Sequence, residues 1–129
     1  MVSTFYYDTD YDGPSFPTVH VTIHNLVDAS QFVTDTAYID SGADGTIIPL
    51  PLLQQINARK VDEMNLRWGS GQSFRVDIYE AVLQIASYRP MKVYAAVDRQ
   101  EPHILLGRDV LNQFIISLNG IAEAVEISQ

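Results

Sequence analysis

Tyr38-Ile39-Asp40-Ser41-Gly42-Ala43-Asp44 runs two β-prone residues into an acid, a hydroxyl and a glycine. The aromatic and branched pair brings the backbone up as a strand. Asp40 falls where that strand must turn, because Gly42 permits backbone conformations that a residue with a Cβ resists. The expected product is a carboxylate at the tip of a buried strand, the placement of a catalytic acid. An ordinary Asp-Ser-Gly surface turn fits the heptad equally well, so the decision falls to the rest of the chain.

Working outward, Ile104-Leu105-Leu106-Gly107-Arg108-Asp109-Val110-Leu111 again leads an apolar strand into a glycine, here followed by helical spacing of Val110, Leu111 and Phe114. Between the two lies Trp68-Gly69-Ser70-Gly71-Gln72, a glycine pair flanked by strand-like runs. In this order the three features resemble the retropepsin-like aspartic proteases, the single-domain family that includes the retroviral enzymes. Asp40, Ser41, Gly42 and Ala43 match the apolar-apolar-Asp-Ser/Thr-Gly-Ala signature. Leu105, Leu106, Gly107 and Arg108 match the C-terminal apolar-apolar-Gly-Arg, and Gly69-Ser70-Gly71 falls where the family carries its flap. The match covers roughly Thr18 to the C-terminus.

The resemblance implies an all-β fold: a small closed β-barrel of the retropepsin (acid protease) type with one short C-terminal helix, working as a two-fold homodimer. Residues 1–17 are then an N-terminal arm and 18–129 the protease domain. Asp40 is the expected catalytic residue, with Ser41 hydrogen-bonding across the dimer axis. The Gly42 N–H would approach the Asp40 carboxylate while the Gly42 carbonyl faces substrate. Ala43 completes the active-site loop. Asp44 would accept hydrogen bonds from a peptide backbone and pair with Arg108. Trp68, Gly69, Ser70 and Gly71 would close over the substrate, and Leu106, Gly107 and Arg108 would support the loop. Where the family often has a second acid, this chain has Gly45, a departure that bears on substrate preference. The Asp-Ser-Gly signature occurs once and the chain is too short for two lobes, so the second carboxylate of the dyad is expected from another copy. The expected substrate is an extended peptide or unfolded protein. A rival reading from another class keeps the same fold as a non-proteolytic peptide-binding or assembly module. A third is an unrelated β domain with coincidental turns.

Composition bounds these readings. At 129 residues the chain suits one domain with a single core, and its 47% apolar content is ordinary for a globular protein. There is no cysteine, so disulfide and thiolate chemistry are excluded. A formal net charge of −8 argues against nucleic acid and anionic membranes as partners, since both demand a basic face. A pair of copies would double that charge and assemble against long-range repulsion. The first residues show neither a basic leader nor an apolar run, and no stretch is long enough to span a bilayer, so a cytoplasmic location is expected.

Along the chain, Phe5–Pro17 mixes tyrosines, aspartates and Asp12-Gly13-Pro14 without a clean period, and reads as an arm or loosely attached strand. Thr18–Leu26 alternates Val19, Val21 and Ile23 against His20, Thr22 and His24, a half-buried strand. The two histidines suggest a metal site, but on a strand they stand about 13 Å apart and nothing completes a ligand set; no metal or cofactor is expected. Gln31–Ile39 delivers Asp40, Thr46–Pro49 reads as a short buried strand, and Pro51–Asn57 as a brief helix started by proline. Val61–Trp68 and Ser73–Ile85 form a hairpin with its tip at Gly69-Ser70-Gly71; a phosphate-binding loop is excluded by the lack of a Gly-Lys-Ser/Thr ending. Trp68 reads equally as a cleft wall or a core tryptophan. Met91–Val97 is another strand, and Ile115–Leu118, Asn119-Gly120 and Ile121–Ile127 read as a terminal Asn-Gly hairpin.

Overall fold

The computed structural model of the chain describes residues 1–67 and 71–129. Nine strands and two short helices follow one another among them. These are β1 (Ser3–Tyr6), β2 (Thr18–His24), β3 (Phe32–Ile39), α1 (Leu50–Gln55), β4 (Arg59–Arg67), β5 (Ser73–Ile85), β6 (Met91–Ala96), β7 (Ile104–Leu106), α2 (Arg108–Leu111), β8 (Ile115–Asn119) and β9 (Ala124–Ser128). The all-β expectation holds.

Among the described residues the strands do not form a continuous closed barrel. They form a three-stranded sheet ordered β1-β9-β8 and a six-stranded sheet ordered β4-β5-β2-β3-β7, with β6 also on β5. The thirteen-residue β5 explains the branching: residues 73–80 pair with β4 and 82–85 with β2, while 78–83 carry β6 on the opposite edge. Between β7 and β6 the ring is bridged through Ile47 alone, paired antiparallel with Leu105 and parallel with Ala96. The short strand expected over Thr46–Pro49 is therefore an isolated pair of bridges.

The core lies where the alternation places it. Val19, Val21 and Ile23 of β2 pack with Ala37 and Ile39 of β3, Leu83 and Ile85 of β5, and Ile104 and Leu106 of β7. Each fully buried aliphatic side chain of this kind stabilises the fold by roughly 2–3 kcal/mol. Helix α1 opens at Pro49 with proline in its first turn, buries Leu53, and is followed by Asn57 at φ 52°, the left-handed geometry that stops a helix. The brief helix expected over Pro51–Asn57 is thus present one residue earlier, and the C-terminal helix, α2, is a single turn long.

The N-terminal residues are woven in: β1 pairs with β9 from Ser3↔Ile127 to Tyr6↔Ala124, and Asp8 bridges Phe16. Tyr88 Oη donates to the Ile127 carbonyl at 2.7 Å, tying the small sheet to the large one. The terminal hairpin is real, but its turn is not the two-residue Asn-Gly type. Asn119 pairs with Ala124, leaving a four-residue loop in which Glu123 takes φ 49° and Asn119 Oδ1 accepts the Ala122 N–H at 3.0 Å.

Candidate active site

Strand β3 runs parallel to β7 with Ile39 opposite Leu106, and one further bond, Asp40 N–H to the Leu106 carbonyl at 3.0 Å, carries the pairing to the acid itself. There the chain turns, with Ala43 N–H donating to the Asp40 carbonyl at 3.1 Å. The Gly42 N–H donates to Asp40 Oδ1 at 3.1 Å. A Cβ on Gly42 would stand 3.3 Å from that same oxygen, so glycine leaves the carboxylate its room. Asp40 is half-buried and Ser41 and Asp44 are exposed.

Arg108, at the start of α2, clasps the loop from the far side. Its Nη1 donates to the Ser41 carbonyl at 2.8 Å and its Nη2 forms a hydrogen-bonded ion pair with Asp44, while its N–H donates to the Ala43 carbonyl at 2.9 Å. The guanidinium therefore holds two residues of the loop, Ser41 and Asp44, a task suited to its rigid fork, and the backbone N–H holds a third. The two stretches singled out in the sequence meet here, bringing Asp40, Ser41, Gly42, Ala43 and Asp44 together with Leu106, Gly107 and Arg108.

Gly107 has a steric reason. A Cβ there would lie 2.5 Å from the carbonyl carbon and oxygen of Gly45. Backbone touches backbone, and two glycines face each other at the crossing of loop and strand. Two further residues hold this crossing that sequence reasoning did not single out. Thr46 is fully buried; its Oγ1 donates to Asp109 Oδ1 at 2.8 Å and accepts the Gly107 N–H at 3.2 Å, while its N–H donates to Asp109 Oδ2 at 3.3 Å. The only sequence signal was Asp109 itself, an acid directly after the arginine in the first turn of a helix.

Beside the loop opens a groove of about 550 Å³, with Gly42, Ala43 and Asp44 on one side and Met64, Leu66 and Arg67 of β4 on the other. Ile47, Ile78 and Ala96 make its apolar floor and Tyr94 stands at its rim. Gly71 is exposed at φ 82°; Trp68, Gly69 and Ser70 lie outside the described residues. On the hairpin's surface Lys60 and Arg75 flank Glu63 at 2.7 and 2.6 Å and hold its carboxyl down to about 2.

Just upstream of the loop, Tyr38 is buried among Tyr11, Phe16 and His103, with ring centroids 5.7, 5.2 and 4.2 Å away. Its hydroxyl donates to Asp8. Burial and that carboxylate push the phenol up to about 12, and the bond holds the Asp8 carboxyl below its usual range.

Among the described residues no cluster of His, Cys, Asp and Glu could hold a metal, and no helix is long and apolar enough to cross a membrane. The strand histidines have other company: His24 Nδ1 lies 2.8 Å from the Asn25 carbonyl oxygen and His20 packs on Phe5.

No protein-family model and no curated protein sequence matches the chain. Solved structures do. A retropepsin-like aspartic protease from Rickettsia conorii superposes with a TM-score of 0.61 at 12% identity, covering 100% of this chain and 95% of that one. The EIAV protease complexed with the inhibitor HBY-793 gives 0.55 at 22% identity, covering 81% of this chain and 93% of that one. With Asp40 at the turn after β3 and Gly107-Arg108 locked against its loop, the chain has the retropepsin-like aspartic protease fold.

Proposed function

We propose that the chain is one half of an aspartic endopeptidase that acts as a homodimer on extended peptide segments. The observation that carries the reading is the half-buried Asp40 carboxylate, restrained by the Gly42 N–H in a loop clasped by Arg108, beside an open, largely apolar groove. A binding module has no need of an acid so restrained. Two such acids facing across a two-fold axis cannot comfortably ionise together, so the pair holds one proton. The ionised Asp40 takes a proton from water as the water oxygen bonds to the scissile carbonyl carbon; the partner's Asp40 gives its proton to the carbonyl oxygen. Collapse of the resulting gem-diol breaks the C–N bond, and the leaving nitrogen takes a proton from the dyad. Each Asp40 alternates between base and acid, so neither copy works alone.

The groove fits an extended chain. Its apolar floor suits apolar side chains, and Asp44 and the Gly42 carbonyl offer acceptors to peptide N–H groups. The test is cleavage of an unfolded protein from mildly acid to neutral pH by the wild type and by Asp40→Asn. Activity abolished in the variant, and suppressed by a peptide mimic of the gem-diol, is the expected result. Equal activity in both removes the protease; inactivity of both with an intact dimer favours a peptide-binding module.

A further inference from the structure

Charge is unevenly placed along this chain. All eight Lys and Arg residues lie between Arg59 and Arg108, whereas the first 58 residues hold seven aspartates and no basic residue. The Asp40 loop therefore comes from a purely acidic stretch, and the opposite wall of its groove from the stretch that carries every cation. Lys60 and Arg75 are matched by Glu63 and Asp77, and Arg108 by Asp44. Arg59 and Lys92 differ. Among the described residues Glu80 is the one ion-pair partner of both, at 3.0 and 3.8 Å. Glu80 is buried, whereas the side chains of Arg59 and Lys92 are 76% and 43% exposed. One buried anion thus holds two accessible cations. Lys92 Nζ also stands 4.8 Å from the centre of the Tyr94 ring, and Tyr94 is at the rim of the groove beside the Asp40 loop.

Strand register relates this cluster to Asp40. Tyr38 lies opposite Leu105, Leu105 opposite Ile47 and Ile47 opposite Ala96, so one row crosses from β3 through β7 and the Ile47 bridges to β6. Asp40 is two residues beyond that row, and Tyr94 two residues before it. Ile47 is antiparallel to Leu105 and parallel to Ala96, so β6 runs against β3 and both steps lead the same way. Two-residue steps also keep Asp40 and Tyr94 on the row's own face. Along the sheet three strand spacings separate them, about 14 Å, which an extended peptide covers in about four residues. Between them lies the apolar floor of Ile47, Ile78 and Ala96. Glu80 is directly opposite Tyr94, and Lys92 is the next residue of β6 on the same face.

We propose that Lys92, held by Glu80 beside Tyr94, is a specificity-determining residue that receives an Asp or Glu side chain of the substrate about four residues from the cleaved bond. The inference rests on the protease reading for the place of the cut, and it names the substrate class: extended peptides, apolar at the centre and acidic toward the ends. The chemistry suits the assignment. An ammonium has three N–H donors, and at 3.8 Å its pair with Glu80 is loose, so Lys92 can bond an incoming carboxylate without giving up its partner. The Tyr94 ring, 57% exposed, offers a face for the peptide's methylene groups. A net charge of −8 opposes an acidic peptide at a distance, but beyond the ~8 Å screening length at physiological salt that repulsion fades and the contacting cation decides.

Two capped octapeptides of the same apolar sequence, one with Glu and one with Gln at both ends, test the subsite at pH 6, where the glutamates are ionised. The wild type is expected to cleave the Glu peptide with a kcat/KM about fivefold above that of the Gln peptide at low salt, the size of one or two exposed ion pairs. Lys92→Gln brings that ratio to near one, and Lys92→Arg keeps it. Arg89→Gln, which removes an exposed positive charge from the turn before β6, leaves the ratio as in wild type. The same peptides, labelled with fluorescein, are titrated into Asp40→Asn with and without Lys92→Gln, so that recognition is read without cleavage. A wild-type ratio near one, a ratio that Lys92→Gln leaves untouched, or an equal fall in Arg89→Gln overturns the proposal. A Lys92-dependent preference in binding with no Asp40-dependent cleavage would sink the protease and keep the subsite. Asp40-dependent cleavage indifferent to the glutamates would do the reverse, and peptides neither cut nor bound would overturn both.

Discussion

Replacing Gly107 by alanine adds one methyl group and tests the crossing that positions Asp40. The new Cβ would stand 2.5 Å from the carbonyl carbon and oxygen of Gly45 and 2.9 Å from its nitrogen. Carbon–carbon contacts are comfortable at about 3.5–4.0 Å, so loop and strand must separate by about 1 Å. That separation pulls at the Arg108 N–H to Ala43 bond and the Gly107 N–H to Thr46 bond, which hold the same crossing. Overpacking of this kind costs about 2–3 kcal/mol. At roughly 2.1 cal/mol/K of unfolding entropy per residue, 129 residues give about 0.27 kcal/mol/K, so Tm falls by about 7–11 °C. Gly45→Ala is the control: its Cβ meets nothing within 4 Å and its φ is not in the left-handed range. Both variants are melted at one fixed protein concentration, because a dimer's Tm depends on it. A Gly107→Ala protein melting within 2 °C of wild type, or a Gly45→Ala protein falling as far, would refute the steric account of this crossing.

Asp109→Ala leaves the buried Thr46 hydroxyl and N–H without their acceptor and is expected to cost about 2–3 kcal/mol in urea unfolding, with Asp109→Asn, which keeps one acceptor, costing about half as much. Arg108→Lys keeps the charge but loses the fork that reaches both Ser41 and Asp44; kcat/KM against a peptide should drop about 10- to 100-fold while Tm changes little, since the Asp44 pair is exposed. Tyr38 holds its proton more tightly folded, at about 12, than its ordinary 10.0, so its contribution to stability is whole below pH 10 and is lost as pH rises through 12. Denaturation between pH 9 and 12 should show a steeper alkaline loss in wild type than in Tyr38→Phe.

How much of this was legible in the sequence follows the range of the contacts. The alternation of Val19, Val21 and Ile23 is local, and β2 came out as read, with those three buried and His20 outward. Strand β5 was bounded as Ser73–Ile85 because its ends are marked by turns. The meeting of the Asp40 loop with Gly107-Arg108 was reachable only through resemblance, since nothing in either stretch alone names the other. Thr46 and Asp109 escaped for the same reason: 63 residues separate them, and neither is unusual in its own neighbourhood. Tyr6 and Phe5 lack a clean period because β1 is a short edge whose face is set by β9. The Asn-Gly turn failed because tertiary pairing kept Asn119 in the strand and moved the left-handed residue to Glu123. The closed barrel is not continuous among the described residues because only the isolated bridges of Ile47 link β7 to β6, while the three partners of β5 were invisible in its own pattern.

The pairing of Ser3 with Ile127 brings together residues 124 positions apart (127 − 3). Closing β1 onto β9 therefore carries a loop-closure cost that the nearer pairs β2 with β3 and β4 with β5 do not, and the small sheet is expected to form after the large one.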